Sequence, residues 1–162
     1  MTGRRGPRRA TGVFLARAPM VTPQLDDALH RQVTALCAEA DALAASGKPD
    51  DARQNYIAAL KLLPGEPGQW EAATWIYVAL GDVHFRAQRF DKAFKCFHNA
   101  VRSPKGLGNP YIHLRLGQLY VEQDDVARAT DELTRAYMGG GIDIFMEDDP
   151  KYLAFLESRI AL

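Results

Sequence analysis

A recurring set of small residues is the feature that most constrains how this chain of 162 residues folds. At three places a small residue is followed twelve positions later by an alanine, then by a large apolar residue and a second alanine. The copies are Ala40 with Ala52, Tyr56 and Ala59; Gly81 with Ala93, Phe97 and Ala100; and Gly117 with Ala129, Leu133 and Ala136. Self-similarity at such a period predicts stacked helical hairpins, with the small residues where two helices cross closely.

Two copies carry further residues that are typical of one repeat family. The second copy has Leu80-Gly81 followed by His84, and the third has Leu116-Gly117 followed by Tyr120. With the alanines that follow, they resemble the tetratricopeptide repeat, whose pattern runs W-x-x-L-G-x-x-Y, then A-x-x-x-F, then P. The resemblance covers residues 33–138. Successive copies are spaced 41 and 36 residues apart, and the residues beyond the usual repeat length fall in loops rich in Gly and Pro. It implies an all-α solenoid of three hairpins.

Capping residues and glycines predict where the helices begin and end. Thr22-Pro23, Asn109-Pro110 and Asp149-Pro150 each place a capping side chain before a proline at the first helical position. Gly139-Gly140-Gly141 ends the sixth helix, and Asp124 or Asp125 caps its start. We therefore predict a tetratricopeptide domain over residues 22–162, with hairpins over about 24–64, 69–103 and 109–138 and a capping helix over about 150–160. A terminal helix of this kind covers the last core face of a solenoid.

The charge distribution separates the two ends of the chain. Five arginines and no acidic residue precede Met20, whereas the rest holds 15 Lys and Arg against 20 Asp and Glu, a net charge of −5. We expect residues 1–21 to be a disordered basic leader, or to precede a start at Met20. A nucleic-acid partner would need this leader, so we favour a protein partner, and the −5 suggests a basic one.

Composition also bears on the compartment. No apolar run reaches the ~18 residues of a membrane span, and Cys37 and Cys96 lack metal or redox spacing. We therefore expect a cytoplasmic protein with two reduced thiols and no membrane partner.

No catalytic, phosphate-binding or cation-binding motif is present in the sequence. The acidic residues of 143–149 lack the spacing of a Ca²⁺ loop, so we interpret them as a solvated turn that caps the next helix. His113 stands where the repeat packs a Trp, which favours a packed, hydrogen-bonded histidine over a ligand. We expect a binding protein without enzymatic activity, cofactor or metal.

The family resemblance implies a concave groove lined by the first helix of each hairpin. Its predicted partner-binding residues are Trp75, Val78, Asp82, Phe85, Arg86, Tyr111, Leu114, Arg115 and Gln118, joined by Thr34, Cys37 and Asp41 from the first helix. Exposed Trp, Tyr and Arg side chains dominate binding energy at interfaces. The alternative is that Trp75 and Tyr111 simply pack on neighbouring helices.

Three segments carry a narrower resemblance: residues 69–76, residues 108–118, and residues 135–138 with 147–152. They are similar to small stand-alone bacterial tetratricopeptide proteins that accompany polymorphic (Rhs-type) toxins. That resemblance implies an immunity-type protein that binds and neutralises a cognate toxin domain. The alternative is a secretion chaperone or assembly scaffold that cradles an extended segment of a secreted client. The sequence leaves the identity of the partner and the oligomeric state open.

Overall fold

The computed structural model describes residues 23–162, and all the regular secondary structure in this range is helical. Its seven α-helices are α1 (Asp27–Ala45), α2 (Pro49–Leu62), α3 (Glu71–Arg86), α4 (Phe90–Arg102), α5 (Pro110–Glu122), α6 (Val126–Gly140) and α7 (Pro150–Glu157). Short 3-10 turns, Pro67–Gln69 and Ile142–Phe145, precede α3 and α7. The basic leader predicted for residues 1–21, with Met20, lies outside the described residues.

The helices pack as three successive hairpins. The most extensive contacts are between α1 and α2, α3 and α4, and α5 and α6, while α2 with α3 and α4 with α5 join one hairpin to the next. The turn Ile142–Phe145 and α7 pack on α6 at the end of the stack. The predicted all-α solenoid of three hairpins is therefore confirmed.

Close helix crossings occur where the small residues of the repeat predict them. A Cβ atom added to Gly81 would lie 2.6 Å from Cζ of Phe97, which is on the other helix of the hairpin. In the third hairpin, a Cβ atom added to Gly117 would lie 2.6 Å from the Leu133 side chain and 3.0 Å from its backbone nitrogen. The absence of a side chain thus allows α5 and α6 to approach until the side chain of one meets the backbone of the other.

The repeat alanines and the large residues between them form the core. The six repeat alanines of the second helices are fully buried, and Phe97 and Leu133 have no exposed surface. Phe97 shares a cluster with Ile112, Leu116 and Leu119 of the following hairpin, so it fills space both within its own hairpin and between hairpins.

Three predicted helix boundaries need correction. Helix α1 begins at Asp27, not at Thr22-Pro23, because the Asp26 carboxylate accepts a hydrogen bond from the backbone N–H of Leu29 at 2.9 Å. Helix α3 begins two residues after Gln69, since Pro67–Gln69 forms a separate 3-10 turn. Helix α7 ends at Glu157, three residues before the predicted end at about residue 160.

The caps at the third hairpin and at α7 agree with the sequence. The Asn109 side chain accepts from the backbone N–H of Tyr111 at 3.0 Å, and Asp149 accepts from that of Lys151 at 2.9 Å. Of the two candidate caps for α6, Asp125 makes the bond, accepting from the backbone N–H of Arg128 at 3.2 Å.

Candidate partner-binding groove

The nine predicted groove residues of α3 and α5 differ widely in exposure. Trp75 is 52% exposed and Arg86 is also on the surface, whereas Val78, Asp82, Phe85 and Tyr111 are half-buried. The remaining three, Leu114, Arg115 and Gln118, are buried. Only part of the predicted set is therefore accessible to a partner.

Leu114 and Gln118 have no exposed surface, which differs from their predicted position in the groove. Leu114 belongs to the core cluster of the last hairpin, with Leu133 of α6, Phe145 of the following turn and Leu156 of α7. The reason is that α7 and the turn before it cover this stretch of α5, so residues that would line an open groove become interior.

Arg115 lies at the centre of a buried polar network on the inner side of α3 and α5. Its Nε donates to Asp82 Oδ1 at 2.9 Å, and its Nη1 donates to Asp148 Oδ1 at 2.9 Å. The Tyr111 hydroxyl accepts from Arg115 Nη2 at 2.8 Å and donates to Asp82 Oδ2 at 2.8 Å. Gln118 Nε2 completes the set by donating to Asp148 Oδ2 at 3.0 Å. All the charges in this network have partners inside the chain.

Aromatic rings complete the surroundings of the Arg115 guanidinium. Its central carbon lies 4.9 Å from the centroid of Phe85 and 5.0 Å from that of Tyr111, within the range of cation–π attraction. Burial, followed by the charge of Asp82, raises the pKa of the Tyr111 hydroxyl to about 12, so this hydroxyl keeps its proton at neutral pH. Burial also raises the pKa of Asp82, against the opposing effects of Arg115 and Tyr111.

Asp148 is the member of this network that the sequence analysis does not identify. The sequence groups it with the solvated acidic turn, but the structure turns its carboxylate inward onto Arg115, 33 residues earlier in the chain. The sequence signal that points to such a partner is Arg115 itself, because a buried arginine needs carboxylate partners. The sequence does not say which of the acids in 143–149 reaches it.

The open part of the groove lies around Trp75, between α1 and α3. A cavity of about 260 Å³ is lined by the apolar residues Val33, Tyr56, Ala72, Trp75, Ile76 and Ala79 and by the polar residues His30, Thr34, Cys37 and Asp41. The structure thus brings the three residues predicted from the first helix together with Trp75. A second cavity of about 480 Å³ lies on the side of Trp75 that faces residues 23–27. We call these two cavities the Trp75 groove.

His113 is buried and lines none of the cavities described here. It is 5% exposed, and the backbone N–H of Gly108 donates to its Nε2 at 3.3 Å. The other ring nitrogen, Nδ1, therefore carries the proton and donates to Glu132 Oε2 at 2.5 Å. This confirms the prediction of a packed, hydrogen-bonded histidine.

The remaining side chains of residues 23–162 show no arrangement of three His, Cys, Asp or Glu groups that would hold a metal ion. Over the same residues, no helix combines the length and apolar character that crossing a bilayer requires.

Comparison with known proteins places the chain among repeat proteins. A family model described as tetratricopeptide repeat matches residues 37–76 and 78–144, which is more than half of the chain. Among 18 matching chains of solved structures is the type III secretion chaperone SycD of Yersinia enterocolitica, in complex with a peptide of the translocator YopD. The similarity has a TM-score of 0.62 at 17% identity, over 79% of this chain and 92% of that one, and it shows a shared fold. No curated protein matches the sequence. The chain belongs to the tetratricopeptide-repeat family, whose modules bind other proteins.

Proposed function

We propose that this chain binds an extended segment of a partner protein in the Trp75 groove, as a secretion chaperone or assembly scaffold does. The observation that carries the proposal is the 52% exposure of Trp75 between two cavities. Hydration of an apolar ring this exposed is unfavourable in the free protein. Burying the ring against a partner removes that free-energy cost. Tryptophan is also among the residues that most often dominate the energy of an interface.

The shape of the groove favours a segment over a folded domain. The cavity between α1 and α3 holds about 260 Å³ and has mostly apolar walls, with Asp41 and Thr34 among its polar lining. A concavity of this size accepts single side chains. An extended chain presents alternate side chains to the same face, so it can place one in each of the two cavities beside Trp75.

Similarity of fold adds support. The matching chaperone was solved with a peptide of a translocator, which is an occupant of the same class as the one proposed here. An immunity-type role would instead require the groove to hold a folded toxin domain. A cytoplasmic location is part of the proposal, because Cys37 and Cys96 are both free thiols.

The proposal is tested by finding the partner and mapping what binds. The immobilised chain captures partners from a lysate of its source cells, and mass spectrometry identifies them. Overlapping peptides that tile each captured protein are then measured for affinity. The chaperone or scaffold role predicts one peptide that binds about as tightly as the whole partner. An immunity role predicts that only the folded domain binds and that its toxic activity is blocked.

Trp75→Ala provides the decisive variant. Removing an interface anchor costs about 2 kcal/mol or more of binding, which corresponds to a loss of about 30-fold in affinity. Met138→Ala is the matched control, because Met138 is 82% exposed on α6 and lies outside the groove. Circular dichroism shows that both variants are folded. If Trp75→Ala binds the partner as tightly as the parent and Met138→Ala do, the Trp75 groove is not the binding site.

A further inference from the structure

The chemistry of a second cleft specifies which kind of segment fits. This cleft has a volume of about 820 Å³ and lies where the end of α3 and the inner face of α5 meet residues 143–152. The half-buried rings of Phe85 and Phe90 line it, with centroids 5.7 Å apart. Its carboxylates are Glu122, Asp143, Glu147, Asp148 and Asp149, and its cations are Arg86, Arg115 and Lys151. We call it the acidic cleft.

Several of these charges are already neutralised within the chain. Asp148 is paired with Arg115 at 2.9 Å, and Glu122 accepts from Lys151 Nζ at 2.6 Å. The first contact joins α5 to the segment before α7, the second joins α5 to α7 itself, and these four charges are therefore paired within the chain. They account for half of the charged groups that line the cleft.

The remaining charges are predominantly negative. Asp143, Glu147 and Asp149 are exposed and form no ion pair within residues 23–162. Asp149 also caps α7 through its carboxylate. Arg86 is the one cation lining the cleft without an ion pair within that range, so these four groups carry a net charge of −2 (one positive against three negative).

The surroundings of Arg115, at the edge of this cleft, show how the protein stabilises a guanidinium group. Arg115 lies over the rings of Phe85 and Tyr111, at 4.9 and 5.0 Å, while Asp82 and Asp148 accept its hydrogen bonds. Aromatic faces beside carboxylates stabilise a cation through both charge and ring quadrupole. The lining of the acidic cleft contains the same kinds of group, the Phe90 ring and the unpaired carboxylates of Asp143 and Glu147.

We infer that the partner segment carries a basic side chain, preferably arginine, which enters the acidic cleft while an apolar side chain occupies the Trp75 groove. This inference rests on the proposed function, since it specifies the segment that the groove takes. The −5 charge after Met20 agrees with a basic partner and disfavours nucleic acid.

A selection from random peptides displayed on phage tests the inference without knowledge of the natural partner. The full chain is the bait, and three variants are selected in parallel. Asp143→Asn with Glu147→Gln removes two free carboxylates of the cleft. Glu39→Gln with Glu157→Gln is the matched control, because both residues are exposed, outside the cleft and free of ion pairs within residues 23–162. Trp75→Ala reports on the groove itself.

The expected result is that the parent and the control enrich peptides with an Arg or Lys at a fixed distance from an apolar residue. The best peptide, synthesised and measured by fluorescence anisotropy, should bind the cleft variant about tenfold more weakly than the parent. Replacing its basic residue by Gln should cost the parent the same factor and the cleft variant almost nothing. This non-additivity would identify the cleft carboxylates as the partners of the basic residue.

Other outcomes overturn the inference in distinguishable ways. Two outcomes would refute the inferred basic residue and leave the proposed function standing. In the first, the selected peptides depend on Trp75 but share no basic position. In the second, they bind the cleft variant with the same affinity as the parent. Peptides that bind independently of Trp75, or no enrichment, refute both. If replacing Arg4, Arg5, Arg8 and Arg9 by Gln raises peptide affinity, the occupant of the cleft is this chain's own N-terminal segment and the partner assignment is wrong.

Discussion

Arg115 of α5 donates a hydrogen bond to Asp148 at 2.9 Å, across 33 residues of sequence, and so joins the third hairpin to the segment that leads into α7. The same guanidinium is bonded to Asp82 of α3 at 2.9 Å. One buried side chain therefore connects the second hairpin, the third hairpin and the C-terminal segment. Its guanidinium is therefore engaged within the chain, at a position that the sequence predicts to meet the partner.

Replacing Arg115 should destabilise the fold strongly. In Arg115→Met, the carboxylates of Asp82 and Asp148 would remain about four-fifths buried without their cation. Breaking a buried pair from one side costs about 3–5 kcal/mol. Urea unfolding followed by circular dichroism measures the change. Arg115→Lys should lose less, because it keeps the charge but not the planar fork of donors. Arg86→Met, on the surface of α3, should stay within about 0.5 kcal/mol of the parent, and an equal loss in both variants would contradict the structural role.

A side chain at position 117 should be poorly tolerated even as small as a methyl group. In Gly117→Ala, the new Cβ would lie 2.6 Å from Leu133 Cδ2 and 3.0 Å from its backbone nitrogen. Overpacking of this kind costs about 1–3 kcal/mol, in part offset by the better helix propensity of alanine. The larger change Gly117→Leu should cost more. In a Leu133→Ala background, Gly117→Ala should cost much less, and thermal melts of the four proteins measure this coupling. Equal costs in both backgrounds would mean that the two residues do not meet.

Phe97 should be the most costly single truncation in the core. It is fully buried, it meets Gly81 inside its hairpin and it packs with Ile112, Leu116 and Leu119 of the next. Phe97→Ala should therefore reduce the free energy of unfolding by about 3–5 kcal/mol. Phe155→Ala, at a half-buried position on α7, should cost clearly less in the same urea titration. Comparable losses would show that Phe97 does not hold two hairpins together.

Stability should fall as the solution becomes mildly acidic. His84 is 7% exposed and its Nδ1 has no hydrogen-bond partner within residues 23–162. Burial, with the charges of Arg89 and Lys92, lowers its pKa below the ordinary 6.5. The unfolded chain then binds the proton more readily, so stability is lost as the pH falls below 6.5 towards the lowered pKa of the folded state.

The measurement compares urea midpoints at about pH 7.5 and about pH 5.5. The parent should be less stable at the lower pH, and His84→Gln should narrow the difference. His98→Gln replaces an exposed histidine of α4 and should leave the difference in place. A His84→Gln variant with the same pH dependence as the parent would remove His84 as its source.

The repeat itself was readable from the sequence because it depends on local spacing. Within each copy, the small residue of the first helix and the alanines of the second stand at the same intervals, and a helix converts such intervals into one face. The residues on that face have to be small where two helices cross, and for this reason the pattern predicted the hairpins and their crossings. The caps at Asn109 and Asp149 were readable for the same reason, since a cap bonds to a backbone only two or three residues away.

Tertiary structure decided which of the predicted groove residues remain accessible to a partner. Leu114 and Gln118 lie on the first-helix face that the repeat directs into a groove, yet residues 142–157 fold back over them. Which acid of 143–149 reaches Arg115 depends on where the chain turns after Gly141, and no local rule fixes that. Trp75 remains exposed because the described chain places no segment over the α1 and α3 side. Local spacing therefore determined the hairpins, whereas contacts between residues distant in sequence determined which part of the groove is left for a partner.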